Sequence, residues 1–165
     1  MRLGILGTGS IAEAVVRGLA PDGHQITVSE RSAVRAARLA EAFETVSVAG
    51  NQGVVDASEV VFLGLMAEQA AEVLGGLRFR ADQRVVSFMA GMPIEEVAAL
   101  VAPAQAVAVM LPYPGIAQGG SPILALGDVG VIEDLFAPAN TVYALHDAAD
   151  LEAYLCAQAV LSPAV

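Results

Sequence analysis

The residues with the clearest chemical meaning stand at the beginning of this sequence, in the run Gly7-Thr8-Gly9-Ser10-Ile11-Ala12. In a G-x-G-x-x-A run, the first glycine permits a tight turn and the second lets the backbone approach a pyrophosphate. The small sixth residue keeps a helix close to a strand. The N–H groups at a helix N-terminus and its partial positive charge also favour phosphates. The run therefore predicts a dinucleotide site rather than a glycine turn that serves packing alone.

A site of this kind needs a strand before the turn and a helix after it. Residues 2–6 form a short apolar run that predicts a buried strand. After the turn, apolar residues recur at helical spacing from Ile11 to Leu19, which predicts an amphipathic helix. The surrounding sequence thus supports the glycine motif.

A second group of candidate residues follows the next predicted strand, residues 25–29. It consists of Glu30, Arg31 and Ser32, about twenty residues beyond the turn, where Rossmann domains bind the adenosine ribose. Glu30 favours NAD, whose ribose hydroxyls a carboxylate accepts, whereas Arg31 and Ser32, backed by Arg35, favour the 2′-phosphate of NADP. We predict NADP, with NAD as the alternative. Ser32 is also predicted to cap a helix over 32–43.

The remaining sequence alternates short strands with helices. Strands are predicted at 45–48, 59–65, 83–88, 106–111, 123–126 and 141–145, and helices at 51–57, 68–74, 93–101, 129–136 and 147–161, with Pro93 at a first helical position. This alternation predicts a three-layer α/β fold of Rossmann type with a mostly parallel sheet of about six to eight strands.

Composition limits the partners of the chain. A net charge of −10 argues against a nucleic-acid partner, and no run approaches the length of a membrane span. All eight basic residues are arginine, which excludes the usual P-loop ATPase and Schiff-base enzymes, because both need a lysine. The single cysteine, Cys156, predicts neither a disulfide nor a metal cluster, and favours the cytoplasm. The mean hydropathy of +0.62 fits strands buried on both faces or an apolar surface that binds a partner.

Several stretches resemble the N-terminal domain of the pyrroline-5-carboxylate reductase family, which reduces a cyclic imine to proline with NAD(P)H. They are the opening glycine run, Arg31-Ser32, the predicted helix from Asn51, and Ser87 with Ala90-Gly91-Met92. The resemblance implies an NAD(P)-dependent oxidoreductase with a small-molecule substrate. It further implies that residues 64–66, 90–92 and 111–113, which follow strand ends, surround the nicotinamide and its ribose. Together these arguments give the predicted cofactor site: Gly7, Thr8, Gly9, Ser10, Ile11, Glu30, Arg31, Ser32, Asn51, Gly64, Leu65, Met66, Ala90 and Gly91.

The sequence also departs from that family. Residues 65–69 and 111–114 differ from the family's motifs, and residues 159–165 only resemble the start of its helical dimerisation domain. We therefore expect a cofactor domain over 1–146 and, over 147–165, a helix leading to a domain absent here. A homodimer through Leu151, Tyr154, Leu155 and Leu161 is expected. The alternatives are a reductase of another substrate, similar to F420-dependent NADP reductases, 6-phosphogluconate dehydrogenases or 2-hydroxy acid dehydrogenases, and a non-catalytic dinucleotide-binding module.

No catalytic acid or base is identified from the sequence. Tyr113 could donate a proton, but a tyrosine in a proline-rich loop is more often a packing anchor. His24 and His146 have no triad partner and no metal-ligand spacing. Met66 and Met92 are predicted to line the pocket, and Met110 to fill the core.

Overall fold

A computed structural model describes residues 1–161. Its eight strands are β1 Arg2–Leu6, β2 Gln25–Ser29, β3 Val46–Ala49, β4 Val60–Leu63, β5 Arg84–Ser87, β6 Gln105–Leu111, β7 Pro122–Gly127 and β8 Thr141–Leu145. Its helices are α1 Ser10–Leu19, α2 Ala33–Ala42, α3 Asn51–Ala57, α4 Ala67–Leu74, α5 Ile94–Val101, α6 Gly130–Phe136 and α7 Ala148–Leu161. No helix of the described residues is long and apolar enough to cross a membrane.

The strands form one sheet in the order β3-β2-β1-β4-β5-β6-β7-β8, and only the pairing of β6 with β7 is antiparallel. This confirms the predicted fold class. β1 lies between β2 and β4, with Ile5 opposite Val28 and Leu6 opposite Leu63. The carboxyl ends of β1, β2 and β4 therefore meet at one edge of the sheet, where the direction of chain winding reverses. Ligands of open α/β sheets bind at such a point.

Each face of the sheet is covered by helices. Helices α1, α2 and α6 pack on one face around Ile5, Phe62 and Met110, and α3, α4 and α5 pack on the other around Leu63 and Val85. The central strands are apolar throughout because both of their faces are buried. Met110 is fully buried, as predicted for a core residue.

Most predicted elements are confirmed within one or two residues, and three details differ. Ser32 precedes α2, but its side chain forms no capping hydrogen bond. Pro93 occupies the N-cap of α5 rather than its first helical position. Leu151, predicted to contact a second copy of the chain, is buried. The side chain of Leu161 and residues 162–165, the end of the stretch resembling the family's helical domain, lie outside the described residues.

Candidate dinucleotide site

The turn between β1 and α1 is held by a close contact of two glycines. Gly7 has φ +88°, in the left-handed region, and a Cβ there would collide with the carbonyl oxygen of Gly64. A Cβ on Gly64 would in turn lie 2.7 Å from the carbonyl oxygen of Gly7. The Gly64 N–H donates to the carbonyl oxygen of Leu6 at 2.7 Å. The ends of β1 and β4 thus approach each other without side chains between them.

A buried serine at the end of β2 fixes the same turn from the other side. The Gly7 N–H donates to Ser29 Oγ at 2.9 Å, and Thr8 Oγ1 donates to the Ser29 carbonyl oxygen at 2.8 Å. Both Thr8 and Ser29 are buried. The Thr8 side chain, predicted to be part of the cofactor site, therefore points into the protein and positions the turn.

Gly9, at the N-cap of α1, differs from Gly7 because the backbone conformation and packing at its position do not require a glycine. Its backbone is extended, at φ −79°, and a Cβ added to it would meet nothing within 4 Å. It borders a cleft of about 440 Å³, the glycine cleft, lined by Gly9, Ser10, Ile11, Ala12, Gly64, Leu65, Phe88, Leu111 and Pro112. The space beside Gly9 opens into this cleft, at the N-terminus of a ten-residue helix.

Phe88 is a member of the glycine cleft that the sequence did not indicate. The sequence predicts Phe88 as the last residue of a strand, but β5 ends at Ser87 and Phe88 follows it. Its ring stacks on Phe62 with centroids 5.5 Å apart, which fixes its position. An aromatic residue directly after a parallel strand is the signal that could have found it.

A second cleft, of about 330 Å³, lies at the end of β2. Glu30, Arg31 and Asn51, all predicted site residues, line it together with three residues of α4: Gln69, Glu72 and Val73. We call it the β2–α4 cleft. The α4 residues were missed from the sequence, although their i, i+3, i+4 spacing places them on one helix face.

Other predicted residues lie elsewhere. Ser32 and Met66 line neither cleft, and Met66 is 64% exposed. The Arg35 Nε lies 3.5 Å from a Glu13 carboxylate oxygen that belongs to α1, and the same carboxylate pairs with Arg17. Glu13 is thus the anion that Arg35 pairs with in this structure, and the support of a 2′-phosphate by Arg35 stays a prediction.

Ala90 and Gly91 border a third cleft, of about 640 Å³, between α5 and α7. Met92, Leu126 and Leu151 also line it. The resemblance implied one pocket that included both Gly64 and Ala90. In the structure Ala90 and Gly91 border a different cleft from Gly64, and Phe88, which precedes them in the chain, lines the glycine cleft. Their contact with the nicotinamide stays a prediction.

The titratable candidates lie away from the glycine cleft. Tyr113 is half-buried in the loop after β6 and does not line the cleft, whereas its neighbours Leu111 and Pro112 do. The pKa of His24 is lowered by partial burial and by the N-terminal ammonium, which lies 3.4 Å from its Nδ1. Cys156 is exposed on α7. Within residues 1–161, no group of three His, Cys, Asp or Glu side chains could hold a metal ion.

The sheet order, the glycine turn and the two clefts beside it define a Rossmann-type domain with a candidate dinucleotide site at the carboxyl edge of its sheet. Residues 2–91 match the family model described as NADP oxidoreductase, coenzyme F420-dependent. This match covers more than half of the chain, which therefore belongs to that family of NADP oxidoreductases.

Solved structures of related fold extend the similarity beyond residue 91. Pyrroline-5-carboxylate reductase from Streptococcus pyogenes is 22% identical with a TM-score of 0.76, over 96% of this chain and 68% of that one. A reductive aminase from Aspergillus terreus, in complex with NADPH and ethyl levulinate, is 22% identical with a TM-score of 0.77, over 97% and 61%. An imine reductase from Myxococcus stipitatus, in complex with NADP⁺, is 17% identical with a TM-score of 0.70, over 97% and 61%. The chain thus spans about 61–68% of the length of these proteins.

Proposed function

We propose that this chain binds NADP(H) and forms the cofactor-binding part of a reductase that transfers a hydride to the carbon of an imine. The observation that carries the proposal is the open space beside Gly9, at the N-terminus of α1. Here the backbone itself borders the cleft. Such a surface suits a diphosphate, whose oxygens can accept hydrogen bonds from the N–H groups of the first helical turn.

The positions of the two clefts fit the two halves of a dinucleotide. With the diphosphate beside Gly9, the adenosine half extends towards Glu30 and Arg31 at the end of β2. The nicotinamide half extends towards Leu65, Phe88 and Leu111 in the glycine cleft. Arg31, exposed beside this adenosine position, supports NADP over NAD, because its guanidinium can pair with a 2′-phosphate.

The chain's own residues would contribute orientation and exclusion of water. Reduced NADP supplies the hydride when it is bound. Leu65, Phe88 and Leu111 give the nicotinamide half of the glycine cleft an apolar lining, which shields a reacting carbon from solvent. Transfer to a protonated imine forms a C–H bond and neutralises the iminium nitrogen, so the product amine forms without a proton from the protein. An iminium acceptor therefore needs no proton donor in the cleft, whereas a carbonyl acceptor would need one.

The choice of substrate class rests on the solved structures rather than on the cleft alone. The S. pyogenes, A. terreus and M. stipitatus proteins share the fold of this chain from β1 to α7, beyond the end of the family match. We extend to this chain the reduction of a cyclic imine, with proline as the product if the substrate is pyrroline-5-carboxylate. We also propose residues 1–146 as the cofactor domain, residues 147–165 as the start of a link to further helices, a homodimer, and the cytoplasm as its location.

The proposal is tested by titrating the 165-residue chain with NADPH and NADH. We expect NADPH to bind more tightly. Gly9→Ala should weaken its binding at least ~100-fold, because the new methyl group enters the space of the diphosphate. Gly76→Ala is the matched control, since a Cβ at Gly76 also meets nothing within 4 Å and Gly76 follows α4, away from both clefts. Equal binding by Gly9→Ala and the control would refute the proposal, provided that both melt with the wild type.

A second candidate function is hydride exchange between NADP(H) and the deazaflavin coenzyme F420. It is favoured by the family match over residues 2–91, which carries that description. The two candidates share the cofactor site and differ in the acceptor. Assays of the full-length protein with NADPH and either F420 or a cyclic imine separate them.

A further inference from the structure

The β2–α4 cleft contains polar side chains that the rest of the chain leaves unpaired. Among the described residues, Asn51 and Gln69 form no side-chain hydrogen bond, and Glu30, Arg31 and Glu72 form no ion pair. The neighbouring amide of Gln52, in contrast, binds both Asp56 and the Arg78 backbone. The cleft therefore presents hydrogen-bonding groups that are free to meet a ligand.

One face of α4 supplies half of this lining. Gln69, Glu72 and Val73 recur at i, i+3 and i+4, whereas Ala70 and Leu74, on the adjacent face, are fully buried against the sheet. The half-buried Val73 gives an apolar surface next to the two polar groups. An apolar wall with two polar groups beside it suits a flat heteroaromatic base better than a phosphate or a sugar.

The charge of the cleft points to the same kind of ligand. It carries two carboxylates, Glu30 and Glu72, and one guanidinium, Arg31. A dinucleotide is an anion, which a carboxylate repels. Each carboxylate of the cleft must therefore accept a hydrogen bond from a neutral donor group of the ligand. Glu30 follows β2, where ribose hydroxyls bind. Glu72 lies on α4, a different element from the one that carries Glu30, and the remaining donor of an adenosine is the exocyclic amine of its base.

We propose that Glu72, with Gln69 beside it, recognises the adenine base of the dinucleotide: the Glu72 carboxylate accepts a hydrogen bond from the exocyclic amine, and the Gln69 amide pairs with a ring nitrogen. This inference rests on the proposed binding of NADP(H), and it assigns base specificity to α4. A base with a carbonyl oxygen at the same position would place an acceptor against the carboxylate and would be rejected.

The test compares NADPH with its hypoxanthine analogue, which has a carbonyl in place of the exocyclic amine. Calorimetric titration of the 165-residue wild type should show about tenfold tighter binding of NADPH. In Glu72→Gln this preference should fall below about threefold, because an amide can donate to the carbonyl as well as accept from the amine. Glu68→Gln is the matched control, since Glu68 lies on the same helix and does not line the cleft. It should retain the wild-type preference.

The outcomes separate this inference from the proposed function. If the wild type binds NADPH and its hypoxanthine analogue equally, or if Glu72→Gln keeps the full preference, base recognition by α4 is refuted while NADP(H) binding stands. If the wild type binds neither dinucleotide, the proposed function fails and this inference fails with it.

Discussion

Gln83, where the parallel strands begin, and the amides of the β2–α4 cleft, where the strands end, differ in whether the chain supplies their hydrogen-bond partners. At the edge where the parallel strands begin, Gln83 is fully buried and all of its side-chain partners lie within the chain. Its Nε2 donates to the carbonyl oxygens of Val55 and Ser58 at 2.7 and 2.9 Å, and its Oε1 accepts from the Arg80 N–H at 2.7 Å. At the edge where the strands end, Asn51 and Gln69 line the β2–α4 cleft and have no side-chain hydrogen-bond partner within residues 1–161.

This difference distinguishes polar groups that stabilise the fold from polar groups that a ligand can bind. A buried polar group without a partner costs about 1–3 kcal/mol, so the hydrogen bonds of Gln83 stabilise the fold. Polar groups that remain accessible to solvent carry little of this cost, and a bound ligand can form hydrogen bonds with them. A paired and an unpaired amide should therefore respond differently to the same substitution.

The largest expected effect is on stability, at the edge where the strands begin. Gln83→Ala removes three hydrogen bonds, leaves the partly buried Arg80 N–H without its acceptor, and should lower the free energy of unfolding by about 3 kcal/mol. Chemical denaturation measures this loss. Gln25→Ala is the control, because Gln25 starts β2 at the same edge but is exposed. A loss below 1 kcal/mol for Gln83→Ala would contradict the comparison.

The next effect concerns binding in the β2–α4 cleft. Arg31→Ala should weaken NADPH about tenfold and leave NADH nearly unchanged, because only NADPH carries a 2′-phosphate that pairs with the guanidinium. Thermal melting should be unaffected, since Arg31 has no ion-pair partner within the described residues. Arg38→Ala removes an exposed arginine of α2 outside the cleft and serves as the control. A parallel loss of NADH affinity would show that Arg31 does not select for the 2′-phosphate.

The sequence predicted the fold and the glycine turn because both depend on local patterns. Apolar strands that alternate with helices indicate a parallel sheet. The glycine motif from Gly7 to Ala12 is contained in the single turn that joins β1 to α1. The structure explains the two glycines differently. Gly7 is required by backbone geometry and by its contact with Gly64, whereas Gly9 borders open space.

The parts of the site that the sequence missed depend on packing between distant elements. Gln69 and Glu72 reach the β2–α4 cleft only because α4 crosses near the end of β2, which no local spacing reveals. The structure pairs Arg35, which is predicted to support Arg31, with Glu13 of α1. Ala90, predicted to lie with Gly64 because both follow strand ends, borders another cleft. Both positions depend on where a side chain lies relative to a neighbouring element.

A pair of asparagines, both at the edge where β1 to β6 end, makes the same contrast between a paired and an unpaired amide with a smaller effect. Asn140 is buried, and its Oδ1 accepts from the Ser121 N–H at 3.1 Å, so Asn140→Ala should lower the free energy of unfolding by about 1–2 kcal/mol. Asn51 lines the β2–α4 cleft and has no such partner, so Asn51→Ala should change stability by less than about 0.5 kcal/mol. Parallel denaturation curves measure both. Equal losses would mean that Asn51 also has a structural role.

The smallest effect is a pH dependence of stability at the edge where the strands begin. The backbone N–H of Arg2 donates to Glu59 Oε2 at 2.9 Å, and this bond, together with the nearby Arg2 guanidinium, lowers the pKa of Glu59 below 4.5. A carboxyl whose pKa is lower in the folded state than in the unfolded state stabilises the fold above the unfolded pKa. That contribution is lost as the pH falls through the folded pKa. Glu59→Gln should therefore melt slightly below the wild type at neutral pH, and the difference should shrink and disappear as the pH falls through the lowered pKa of Glu59. Melting curves between neutral and acidic pH measure it, with Glu44→Gln, another exposed carboxyl, as the control. A difference that stays constant across this range would show that the bond from Arg2 does not depend on the charge of Glu59.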